Sequence, residues 1–67
     1  MMTITCNGEP RKIEREMSVE ELMRSLNLNP ETVVAELDGR ILSRPEYAET
    51  RLADGATLEL IRFVGGG

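Results

Sequence analysis

A single cysteine, Cys6, and the absence of histidine leave this chain of 67 residues without an internal disulfide or a conventional zinc site. A chain this short buries only about 60% of the surface that its unfolded form exposes, so its core must be thin. Without a covalent or metal staple it depends on a very regular fold. Unpaired cysteine also suits a reducing compartment, and we expect a cytoplasmic location.

Composition and charge exclude several classes of protein. Apolar residues make up 40% of the sequence and charged residues 30%, which is typical of a folded soluble domain. The net charge of -4 and the scattered basic residues predict no nucleic-acid partner. The first residues lack the basic start and long apolar stretch of a signal peptide, and no apolar run reaches the length of a membrane span. We therefore expect a chain that is neither exported nor embedded in a membrane.

The first fifteen residues have the pattern of a hairpin. Apolar and polar residues alternate over residues 2–7, which predicts a strand with one buried face. Asn7-Gly8 tolerates the positive φ of a tight turn, and a second strand is expected over about residues 10–15. Because Pro10 has no amide hydrogen, this second strand should lie at the edge of the sheet.

A helix should follow, because the apolar residues now recur at i, i+3, i+4 and i+7: Val19, Leu22, Met23 and Leu26. Ser18 and Glu21 form a capping-box pattern at its start. Asn27 tolerates a left-handed cap, and Pro30 keeps the preceding residue out of the helical region. The sequence therefore predicts one amphipathic helix packed on the sheet and ending near Asn27.

The second half alternates strands and turns. Residues 32–37 predict a third strand that points Val34 and Glu36 away from its apolar face, and residues 40–42 a short returning strand after Asp38-Gly39. Residues 43–46 repeat the S-x-x-E pattern, which favours a short helical turn reaching Tyr47. A final strand begins at Thr57 after the turn at residues 54–55.

The final strand predicts a partner-binding surface. If Leu58 and Leu60 face the helix, then Ile61 and Phe63 face away from it, and one helix cannot cover both faces of the sheet. We expect Ile61 and Phe63, with Val34, to form an exposed apolar patch that binds a partner. Two alternatives are a small patch that folds over itself and a register shifted by one residue, which would exchange the two faces.

These elements give an α+β fold, with one mixed β-sheet packed on one α-helix and a short helical turn. The whole chain resembles the ubiquitin-like β-grasp proteins, and within them the ThiS family of sulfur carriers of thiamine biosynthesis. The resemblance rests on Cys6-Asn7, the segment over residues 37–44, Tyr47, Asp54-Gly55, and the ending Val64-Gly65-Gly66-Gly67. It departs from the commonest pattern at the third glycine, Gly65, and at Ser43, where proline is frequent.

The resemblance implies how the chain works. Residues 1–64 would form the β-grasp domain, and residues 65–67 a flexible tail. A ThiF-like enzyme using ATP and magnesium would adenylate the carboxylate of Gly67, which would become a thiocarboxylate with sulfur from a cysteine persulfide and pass that sulfur to thiazole synthase. Gly65 and Gly66 would thread the carboxylate into a narrow channel, because they have no side chain to obstruct it. The chain would be a protein co-substrate that binds no cofactor or metal of its own.

The residues themselves show no catalytic group. Cys6 lies at an inward position of the first strand, which makes it a small core residue rather than a persulfide carrier. No Ser-His pair or facing pair of carboxylates is recognisable.

Three alternatives to a thiamine sulfur carrier stay open. The first is the small subunit of molybdopterin synthase, whose family is typically longer, and the second is a carrier for amino-acid or siderophore synthesis. The third is a binding module whose glycine end is a frayed terminus.

Overall fold

The computed structural model of the chain describes residues 1–62. Within these residues, five strands form one sheet and one α-helix packs on it. The elements are β1 (Met2–Cys6), β2 (Glu9–Ile13), α1 (Val19–Ser25), β3 (Val33–Leu37), β4 (Arg40–Ile41) and β5 (Thr57–Arg62). The strand order is β2-β1-β5-β3-β4, and only β1 and β5 run parallel within it. The predicted mixed sheet with one helix is confirmed.

Two tight hairpin turns set the register of the sheet. Asn7 and Asp38 have φ values of 52° and 51°, and the glycine after each lies at 84° or 87°. Two successive positive φ values match the turn whose twist fits a two-residue hairpin. Strand β2 therefore begins at Glu9, opposite Cys6, and ends at Ile13, opposite Met2. It stops two residues earlier than expected because β1 offers no partner beyond Met2.

The core lies between α1 and the face of the sheet that it covers. Val19, Leu22 and Met23 of the helix are buried, as are Leu58 and Leu60 of β5. The prediction that Leu58 and Leu60 face the helix is thus confirmed.

The buried Tyr47 hydroxyl donates a hydrogen bond of 2.7 Å to the carbonyl oxygen of Val33. This bond ties the short 3-10 turn over Arg44–Tyr47 to the start of β3.

The ends of α1 follow the predicted signals, with one addition. The Glu21 amide donates to the Ser18 hydroxyl, and the Ser18 amide donates to a Glu21 carboxylate oxygen, so the capping box is complete. Asn27 adopts a positive φ of 62° just beyond the helix. Pro30 does more than stop the helix, because it begins a 3-10 turn over Pro30–Thr32. This turn delays β3 to Val33, one residue later than expected.

The two capping boxes should make the fold sensitive to acid. Hydrogen bonds from the Ser18 and Ser43 amides lower the pKa of Glu21 and of Glu46 below the ordinary value of 4.5. Since each folded-state pKa lies below the unfolded one, the stabilisation is complete above pH 4.5 and is lost as pH falls through the folded-state value. The urea midpoint of the wild type should fall when the pH is lowered from 5 to 3. We expect a smaller fall in the variant Glu21→Gln, because glutamine keeps the cap acceptor without titrating.

Exposed Glu49 supplies the matched control for this prediction, because it is not one of the capping carboxylates. The variant Glu49→Gln should keep the full acid dependence of the wild-type chain. Equal acid dependence in Glu21→Gln and the wild type would show that the capping carboxylate contributes nothing to it.

Candidate functional site

The candidate site is built on β5, which lies in the middle of the sheet and ends at Arg62. Strand β1 flanks it on one side and β3 on the other. The sequence continues directly from this strand into residues 63–67. The central strand of the domain therefore leads to the C-terminal glycines, and Arg62 is the described residue nearest to them in the sequence.

An apolar patch of two exposed side chains and the half-buried Val34 lies on the face of the sheet opposite α1. Val34 of β3 pairs directly with Ile61 of β5, and both side chains point away from the helix. Ile61 is 52% exposed and Ile41 of β4 is 68% exposed. Ile41 pairs with Glu36, which places it diagonally across from Val34. We call Val34, Ile41 and Ile61 the apolar patch.

Two carboxylates adjoin the apolar patch on the same face. Glu36 pairs directly with Glu59, so like charges stand opposite each other on neighbouring antiparallel strands. Such an arrangement destabilises a sheet rather than supporting it. The ion pairs within residues 1–62 use other carboxylates, those of Glu20, Glu21, Glu31 and Glu46. We call Glu36 and Glu59 the acidic pair; together with the apolar patch it gives this face both a hydrophobic and an anionic character.

The apolar patch could be predicted in part from the sequence. Ile61 and Val34 lie together on the open face, as expected. Phe63 and the glycines Gly65, Gly66 and Gly67 fall outside the described residues, so their predicted roles stay predictions. Ile41 was missed, although the two-residue turn at residues 38–39 implies the pairing of Ile41 with Glu36 and hence its outward direction.

The opposite face holds a cleft of about 480 Å³ between the end of α1 and the β1-β2 hairpin. Cys6, Arg11, Leu26 and Arg62 are among its lining residues. Burial raises the pKa of the Cys6 thiol, an effect that nearby Arg11 partly offsets. The thiol is therefore predominantly protonated at neutral pH, which agrees with its expected role as a core residue rather than a nucleophile.

Over residues 1–62, no three His, Cys, Asp or Glu side chains are grouped so that they could hold a metal ion. In the same part of the chain, no helix is both long enough and apolar enough to cross a bilayer.

The chain is similar to known proteins over nearly its whole length. The family model described as "ThiS family" matches residues 4–67, which include the whole of β5 and the glycine end. The chain belongs to the ThiS family. The sulfur carrier protein ThiS of Bacillus subtilis is 31% identical over 62 residues, covering 91% of this chain and 94% of its relative.

A solved structure of a ThiS relative confirms the fold. The thiamine biosynthesis protein ThiS from Geobacter metallireducens superposes with a TM-score of 0.84 at 35% identity, covering 98% of this chain and all of the other. The five-stranded mixed sheet with one helix is thus the ubiquitin-like β-grasp fold of ThiS proteins.

Two further relatives are much longer proteins. The thiazole synthases of Paramagnetospirillum magneticum and Magnetococcus marinus are each 35% identical to this chain over 66 residues. The match covers 98% of this chain, which spans only 20% of the length of either thiazole synthase.

Proposed function

We propose that this ThiS-family chain is a sulfur carrier for thiazole formation in thiamine biosynthesis, and that Gly67 bears the sulfur as a C-terminal thiocarboxylate. The observation that carries the proposal is the family match through Gly67 on a β-grasp body whose central strand leads to that residue. The chain is a protein co-substrate in this scheme. No group of the described residues takes a catalytic part.

The chemistry requires activation of the carboxylate. One Gly67 carboxylate oxygen attacks the α-phosphorus of ATP on a ThiF-like partner, and pyrophosphate leaves. The terminal sulfur of a cysteine persulfide then attacks the acyl carbon, forming a carbon–sulfur bond as AMP departs. A thiol reductant cleaves the resulting disulfide with two electrons and releases the thiocarboxylate. Magnesium on the partner stabilises the charge that develops on the phosphates.

Docking would use the open face of the sheet. The apolar patch supplies hydrophobic surface that a partner can bury, and its three members lie on three adjacent strands. The acidic pair calls for a basic group on the partner, because a cation placed between Glu36 and Glu59 relieves their repulsion. We expect the activating enzyme and thiazole synthase each to present an apolar surface beside Arg or Lys.

Thiazole synthase is the favoured acceptor because of the two long relatives. Each carries a segment similar to this chain within a protein named thiazole synthase. A covalent link keeps donor and acceptor at a high effective concentration, which is useful only if the two act together. In this chain, the apolar patch would contribute to the corresponding encounter.

Intact-mass spectrometry tests the proposal. The full chain would be incubated with ATP, magnesium, a ThiF-like enzyme, a persulfide donor and a thiol reductant. We expect the mass gain that corresponds to one sulfur in place of one oxygen, and no gain when ATP is left out. Persistent absence of this species would refute the carrier proposal. Formation of the thiocarboxylate without transfer to thiazole synthase would assign the chain to another sulfur pathway.

A further inference from the structure

Strand β5 is held on its β1 side by only a short ladder. The paired residues are Thr5 with Thr57 and Cys6 with Leu58, and the Asn7 amide donates a hydrogen bond of 2.9 Å to the Leu58 carbonyl oxygen. After Asn7 the chain turns back into β2. The last four residues of β5 therefore extend beyond the backbone of β1.

The side chain of Asn7 continues the ladder where the backbone stops. The Leu60 amide donates a hydrogen bond of 2.8 Å to Asn7 Oδ1, and Asn7 Nδ2 donates one of 3.4 Å to the Leu60 carbonyl oxygen. One carboxamide thus engages both polar groups of a strand residue, as a neighbouring strand would. Asparagine suits this position because it also tolerates the positive φ of 52° at the start of the turn.

The turn between β3 and β4 also binds β5 through its first residue. Asp38 is the first residue of its turn, as Asn7 is of the other. The Asp38 amide donates a hydrogen bond of 2.8 Å to the Thr57 carbonyl oxygen, and Asp38 Oδ1 accepts one of 2.9 Å from the Thr57 amide. The first residue of each turn thus holds one end of β5. Asp38 binds the end where the strand begins, and Asn7 binds the half from which the chain continues to Gly67.

We propose that Asn7 is a positioning residue for the C-terminal carboxylate, an inference that rests on the proposed carrier function. By fixing Leu60, it holds the half of β5 from which the chain continues to Gly67 in one position relative to the docked body. A fixed point of departure favours the productive geometry of the carboxylate at the partner's reacting centre. Because β3 still pairs with β5 on its other side, from Val33 to Leu37, the domain folds without this contact.

Three variants test the proposal, two at Asn7 and one at Asp38. Asn7→Gly removes both side-chain hydrogen bonds while glycine accepts the left-handed turn, and Asn7→Asp retains only the acceptor. Asp38→Gly is the matched control, because it removes the equivalent contact at the distant end of the strand. Amide exchange by NMR and steady-state adenylation, followed as pyrophosphate release with ATP, magnesium and a ThiF-like enzyme, would be measured for every variant.

In Asn7→Gly we expect the Leu60 amide to exchange about tenfold faster and kcat to fall about tenfold, while KM for the carrier stays within about twofold, since misplacement acts on the reacting geometry rather than on docking. Asn7→Asp should lie between this variant and the wild type. Asp38→Gly should accelerate exchange at Thr57 and leave kcat unchanged.

Equal losses of kcat in Asn7→Gly and Asp38→Gly would overturn the proposal, because the effect would then be one of general stability. Unchanged exchange at Leu60 in Asn7→Gly would overturn it as well. Failure of the wild-type chain to become adenylated is a separate result that refutes the carrier function. The exchange data would still decide whether Asn7 holds β5.

Discussion

A chain that lacks Gly67 is expected to fold like the full chain and to lose adenylation altogether. The deletion leaves a carboxylate on Gly66, which ends about 3.5 Å short of the position that the terminal carboxylate takes in the partner's site. In-line attack on a phosphorus atom requires near-contact placement, so a shift of this size removes the reaction rather than slowing it. Pyrophosphate release with ATP and a ThiF-like enzyme is the measurement.

The opposite end of the chain provides the control. A chain that begins at Met2 also lacks one terminal residue. Met1 is exposed and lies outside β1, so its removal should not disturb the fold. It should keep both its stability and its adenylation. We expect the free energy of unfolding to change by less than about 0.5 kcal/mol in either truncated chain. A marked loss of stability on removing Gly67 would mean that the terminus supports the fold.

Replacing Ile61 by threonine should weaken docking about tenfold. Threonine keeps the branched shape that suits a strand but replaces the ethyl branch of Ile61 with a hydroxyl. A loss of about 1.4 kcal/mol of binding free energy at a residue near the centre of an interface corresponds to a tenfold change in affinity. The expected result for Ile61→Thr is a rise in KM for the carrier with little change in kcat. This pattern is the reverse of the one expected for Asn7→Gly.

Lys12→Thr is the control for the patch. Lys12 lies on edge strand β2, which β1 separates from β5. Its replacement should leave KM within about twofold, since isolated exposed charges contribute little. Because Ile61 is 52% exposed, Ile61→Thr should also unfold at nearly the wild-type urea concentration. An unchanged KM for Ile61→Thr would show that partners use another surface.

Local signals predicted the elements of this fold well. The apolar period and the Ser18–Glu21 pair identified α1 and its capped start, because the hydrogen bonds concerned join residues three positions apart. Asn7-Gly8 and Asp38-Gly39 identified both hairpins, because positive φ values select few residue types. The boundary of β2 was less accurate, since a strand ends where its partner does and no residue of β2 records that.

The candidate site was predictable only in part. Alternation alone placed Ile61 on the uncovered face, since burial of Leu58 and Leu60 requires it. The acidic pair escaped notice because it depends on which strands are neighbours, whereas the direction of Ile41 follows from the local hairpin and was overlooked. The contact of Asn7 with Leu60 joins residues 53 positions apart, and no local pattern predicts a side chain that takes the place of a strand.

The apolar periods, the turns and the capped helix could be recognised in the sequence, because each depends on the conformational preferences of residues close together in the chain. Tertiary structure alone decided the neighbours of β5. Packing the apolar side of the sheet on α1 places β5 between β1 and β3, and this arrangement brings the apolar patch, the acidic pair and the Asn7 contact to the strand that leads to Gly67. Such neighbours follow from burial summed over the whole domain, which no short segment contains.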